Sequence, residues 1–277
     1  MEGYGEVDRM VAAVAETARR YGALLACEPG AEGVVASVGV GYLAHVGEGR
    51  LELCRADACS PRPGQVALGP LDATSDEVVA LSRRVLAGFQ RRVGRECARR
   101  AELACAADDA EAPEVVHRYL RLGFSLPHEL RPRATDKRVL AIDDLACLVL
   151  RELERTRRLA RFERCRDGSW VAAVTPAADT VPLVADHFAR RLASERFCLA
   201  DPGHRVAAFH EARAAHCGVV RLDERLCRQL AALDEAELAA DERRVRALWR
   251  CFHDHVLASG SRAGSVWDTE RRRERAP

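Results

Sequence analysis

The sequence predicts a mainly helical α+β protein with a small antiparallel sheet, arranged hairpin–helix–hairpin, in its second half. Three observations carry this. Apolar residues recur at helical spacing through most of residues 74–160. After Arg161 the pattern turns to short β-rich runs around the turn pairs Asp167-Gly168 and Pro202-Gly203. Residues 223–257 then return to helical spacing.

The elements follow in order. Residues 6–27 carry Val11, Val14, Ala15, Ala18 and Leu25, which predicts a helix ending near Pro29-Gly30. VVASVGVGYLAHV is β-branched and glycine-dotted, so residues 33–54 predict a hairpin closed by Gly47-Glu48-Gly49. Residues 60–70 form a loop with three prolines. Thr74 or Ser75 caps a helix whose first turn holds Asp76 and Glu77. Helices follow at 91–105 and at 113–124, the latter opened by Pro113. After a loop, residues 136–160 form the longest helix, with Val139, Leu140, Ile142, Leu145, Leu148, Val149 and Leu153 as its apolar stripe. RFERC and SWVAAVTP make the first hairpin, residues 180–193 a helix, and RFCLAD with RVAAFHE the second hairpin.

Composition excludes several classes. With 48% hydrophobic and 31% charged residues in 277, the chain is neither disordered nor fibrous. No run approaches a membrane span. An acidic start (Glu2, Glu6, Asp8) predicts no secretory leader and a cytoplasmic location. The 11 cysteines contain no C-x-x-C pair, so they read as reduced, small apolar residues. His253 and His255 lie two apart, which on a helix points them to different sides, so no metal and no cofactor is expected. No P-loop and no G-x-S-x-G is present.

The net charge of +1 conceals an asymmetry. Residues 1–80 hold 6 basic and 12 acidic residues, whereas 81–164 hold 19 and 13. Arginine clusters at 83–100 and 151–164 therefore offer a surface for a polyanion, against the plainer reading of solvated helix faces. His187 and Arg191 share one face of the 180–193 helix. With Arg161 and Asp201 near strand ends, they form a candidate phosphate grip with His187 as proton carrier. The plainer alternative is a core His187 and structural ion pairs.

The block from ELERTRRLARFE to RFCLADPGHR resembles a bacterial family of unknown biochemical function linked to DNA metabolism and repair. The matching positions are Glu152, Arg155, Arg161, Phe162, Val171, Ala172, Pro176, Asp179, Pro182, Leu183, His187, Phe188, Arg191, Phe197 and Asp201, with Trp249 and Phe252 later. His204 stands where that family has the arginine of D-x-x-R, and the family's motifs at both termini are missing. The resemblance divides the chain into a divergent segment (1–70), a family-like α+β domain (71–258) and a frayed basic tail (259–277). It implies a DNA-repair protein acting with a radical-SAM partner, in a family that also occurs fused to uracil-DNA-glycosylase-type domains. Under that reading Arg155, Arg161 and Arg191 hold nucleic acid. His187 is the catalytic candidate, and Glu152, Phe162, Phe188 and Asp201 orient the site. Two alternatives stand beside it: an accessory module without catalysis or DNA contact, and a small His187-dependent hydrolase or nuclease.

Overall fold

The computed structural model describes residues 5–127, 130, 135–231 and 238–243. These residues form eight α-helices and eight β-strands, so the fold is α+β and mainly helical. The chain divides into two compact units, one of residues 1–159 with 176–184, the other of 160–175 with 185–277.

The first unit opens with α1 (Glu6–Arg20), whose acids Glu6 and Asp8 and bases Arg19 and Arg20 match the helix dipole at each end. Two expectations fail next. Residues 22–27 are not the end of that helix but a strand, β1 (Gly22–Cys27). It is the centre of a parallel sheet flanked by β2 (Leu51–Arg55) and β3 (Gln65–Leu68). The expected hairpin over 33–54 is replaced by helix α2 (Ala31–Leu43) followed by β2. Residues 33–41 of α2 are all buried, so the helix shows no polar face and no helical period. Its glycines serve packing. A Cβ at Gly39 would lie 2.9 Å from the Leu81 side chain of the neighbouring helix and 3.0 Å from that of Val85, so both would have to shift to admit it.

That neighbour is α3 (Asp76–Val93), with Ser75 at its N-cap position. Gly94, at φ 124°, separates it from α4 (Arg95–Ala104), a backbone conformation that favours glycine. Helix α5 (Ala112–Ser125) starts with Pro113 in its first turn. Phe89 of α3 packs against Tyr119 and Phe124 of α5, at 5.8 and 5.2 Å between ring centroids. Helix α6 (Lys137–Leu159) buries Val139, Ile142, Leu145, Val149 and Leu153. Leu140 and Leu148 of the expected apolar stripe are exposed instead. Residues 176–184 close the unit, with Ala178 bridging Ala107 and the Asp179 N–H donating to the Ala106 carbonyl at 2.9 Å.

The second unit is built on a five-stranded sheet in chain order: β4 (Glu163–Arg164), β5 (Trp170–Ala173), β6 (Phe197–Asp201), β7 (Val206–His210) and β8 (Gly218–Arg221). The two hairpins form as expected. The β5–β6 pair is parallel, and the remaining pairs are antiparallel. A parallel pair needs a crossover, which α7 (Val181–Arg191) supplies. Cys198, Ala200, Ala207, Leu222 and Cys227 form an apolar cluster. Helix α8 covers Glu224–Ala231. The expectations for Trp249, Phe252, His253, His255 and the basic tail lie outside the described residues.

Candidate nucleic-acid interface

The arginine clusters read from the sequence lie on α3, α4 and α6 of the first unit, except Arg161 and Arg164, which belong to the second unit and pair with Glu242 and Asp241. Helical spacing turns Arg95 and Arg99 to one side of α4, four residues apart. Together they border two grooves. The first, about 600 Å3, adds Arg83 and Gln90 of α3. The second, about 810 Å3, adds Arg100 of α4 with Asp143, Cys147 and Leu150 of α6. Further along α6, Arg151, Arg155 and Arg158 surround the exposed Leu150 and Leu159.

Local carboxylates neutralise part of this charge. Arg99 pairs with Glu102 at 2.6 Å, and Arg100 with Glu96 at 2.7 Å and Asp143 at 2.8 Å. Arg157 pairs with Glu154 at 2.7 Å. Arg83, Arg84, Arg91, Arg92, Arg95, Arg151 and Arg158 are exposed and carry no ion pair among the described residues. Those seven side chains are exposed, with no carboxylate among the described residues to hold them. A phosphate there meets planar, always-charged partners without displacing a carboxylate.

The residues singled out by sequence fall in both units. In the first, the half-buried Glu152 accepts the Ala177 N–H at 3.0 Å, tying α6 to the 176–184 segment. Arg155 lies 3.7 Å from Glu152 with its side chain 64% exposed. In the second, Arg161 reaches Glu242 at 3.2 Å. Phe162 packs edge-on against Phe188 and Phe197, at 5.1 and 5.3 Å. The His187 ring meets Phe188 edge-on at 5.2 Å. Arg191 is exposed at the end of α7. Asp201 is fully buried, and both its oxygens serve its own turn. Oδ1 accepts the N–H groups of Gly203 and His204, and Oδ2 sits 2.6 Å from His204 Nδ1. The second unit thus brings Phe162, His187 and Phe188 together, while Asp201 is committed to the β6–β7 turn.

Residues 110–263 match the family model described as a domain of unknown function, DUF4130. The chain belongs to that family. The DUF4130 region spans just over half the sequence and begins immediately before α5. It includes every residue singled out from Glu152 to Asp201, and Arg151, Arg155 and Arg158 of the α6 face. The groove arginines of α3 and α4 precede it. No curated protein and no solved structure matches the chain. No helix among the described residues is long and apolar enough to cross a membrane, and no cluster there has the composition of a metal site.

One network escaped the sequence reading. Glu114 on α5 accepts the Leu53 N–H at 2.9 Å and Arg118 Nε at 2.6 Å, and lies 3.1 Å from His117 Nδ1. Arg121 donates to His117 Nε2 at 3.3 Å and lies over the Tyr42 ring at 4.6 Å. Its signal was there: positions 114, 117, 118 and 121 form one helical stripe. Its members join α5 to β2 and α2, which is a structural task.

Proposed function

We propose that this DUF4130 protein is a nucleic-acid-binding component of DNA repair or DNA metabolism, working beside a radical-SAM enzyme. The observation that carries the reading is the set of seven exposed arginines on α3, α4 and α6 without carboxylate partners among the described residues. Such a surface releases counterions when it meets a phosphate backbone, so affinity falls steeply with salt. Nothing in its geometry selects bases, which makes the grooves a positioning surface. The reading places the reaction, with its cofactor, on the partner enzyme.

The test is fluorescence anisotropy of a labelled DNA at rising salt. Binding should weaken linearly on a log–log plot, and Arg83→Glu, Arg95→Glu and Arg151→Glu should each lower the slope by about one unit. Salt-independent binding, or none, removes the proposal.

A second reading has its own observation. Leu140, Leu148, Leu150 and Leu159 are 43–67% exposed on α6, an amount of apolar side chain that suits contact with a protein partner. An accessory module predicts a stable complex with the radical-SAM enzyme that charge reversal on α3 leaves intact.

A further inference from the structure

A third cleft of the first unit differs from the two basic grooves. It lies between the end of α2, one side of α3 and the end of α5, has a volume of about 510 Å3 and is almost wholly apolar. Leu43, Leu81, Val85 and Phe124 supply the walls. Tyr42 and Phe124 brace one end by an edge-on contact at 5.3 Å. Arg84 and Arg92 are its charged members, and no carboxylate lines it. They stand eight residues apart on α3, about 12 Å along the helix axis, with Gly88 midway between them. A Cβ at Gly88 would meet its nearest neighbours, Phe124 and Arg91, only at 4.0 Å. Glycine is therefore not forced there by packing. Its effect is to leave the floor of the cleft open.

An apolar slot with a guanidinium at each end matches an apolar body flanked by two anions. A fatty acid or lipid has one anionic end and leaves the second arginine unanswered. A nucleotide within a strand carries a flat base on a sugar that has a phosphate on either side. We propose that this cleft receives one unstacked base of a single-stranded nucleic acid, while Arg84 and Arg92 each hold a neighbouring phosphate. The inference rests on the nucleic-acid reading above and adds where the base goes. It also joins the cleft to the grooves, because Arg83 and Arg91 continue the basic surface around the same helix.

The experiment compares two labelled probes on the full chain: an oligothymidylate of about twelve nucleotides and the same backbone without bases. Wild-type protein should bind the base-bearing strand about tenfold more tightly, the order of one buried base. Gly88→Leu fills the floor and should erase that difference. Leucine is a better helix former than glycine, so the variant should melt no lower than wild type. A 2-aminopurine in the strand should change its emission on binding to wild type, which needs no variant. Equal affinities in wild type, unchanged 2-aminopurine emission, or a difference surviving in a well-folded Gly88→Leu would each overturn the inference while leaving the basic surface standing. If neither probe binds, the nucleic-acid reading itself falls and carries this one with it. If dodecanoate raises the melting temperature of wild type but not of Gly88→Leu and the two probes bind alike, the cleft holds an aliphatic anion and the base assignment is overturned.

Discussion

Asp201 and His204 form a closed pair across one turn, carboxylate oxygen to imidazole Nδ1 at 2.6 Å, with the aspartate entirely out of solvent. The same carboxylate caps two backbone N–H groups, so the β6–β7 connection is assembled around it. Removing it leaves the Gly203 and His204 N–H groups and the His204 ring without the acceptor that holds the turn. Asp201→Ala should cost about 3 kcal/mol of stability, and Asp201→Asn less, because the amide oxygen still accepts the backbone donors. Urea denaturation measures both. An Asp201→Ala variant as stable as wild type would show that water replaces the carboxylate.

Acid should unfold the first unit partly through Glu114. Burial pushes its carboxyl up, but His117, the Leu53 N–H and Arg118 outweigh that and hold it below the usual carboxylate range. A lowered folded pKa stabilises the protein above the unfolded carboxylate pKa. That contribution is lost as pH falls through the folded value. Glu114→Gln should therefore flatten the acid limb of the stability–pH curve. A variant whose acid limb keeps the wild-type slope would remove Glu114 from the account.

Thiol reactivity should follow burial. Cys27 and Cys198 are pushed up to about 12 and Cys217 to about 11, in each case mainly by desolvation. Cys105, fully enclosed, is raised further. Iodoacetamide near neutral pH should thus modify Cys147, exposed among the described cysteines, before any other of them and leave Cys27, Cys105 and Cys198 untouched in the folded protein. Peptide mapping by mass spectrometry reads the order, and early loss of Cys27 would contradict it.

Gly33 should resist substitution. A Cβ there would collide with the Glu28 carbonyl oxygen, a backbone atom that cannot swing aside. Gly33→Ala should cost about 2 kcal/mol, although alanine is ordinarily the better helix former. Thermal unfolding decides it, and an unchanged or raised melting temperature would mean the loop gives way.

The second half of the fold was legible because its turns are explicit. Asp167-Gly168 and Pro202-Gly203 marked both hairpins, and both formed. The first half hid its architecture for two physical reasons. Helix α2 is buried on all sides, so its sequence has β-like composition and no amphipathic period. GALLAC follows Tyr21 with a lone Gly22 as its only punctuation, and so short an apolar run does not distinguish strand from helix. The arginine surface was visible as a charge bias at 81–164, since charge is a property of sequence. Asp201's turn, the Glu114 network and the cleft at Gly88 were not, because each depends on what tertiary packing brings beside a side chain.

The chain crosses between the two units after residues 159, 175 and 184. A ribosome delivers α1 to α6 first, but Ala178 and Asp179, which pair with Ala107 and Ala106, arrive only after the β4–β5 hairpin has been made. The first unit thus cannot be completed until a stretch of the second has been synthesised. Its last bridge, Ala107 to Ala178, waits for residues beyond 175, so a polypeptide released at residue 160 would leave Ala106 and Ala107 without these partners.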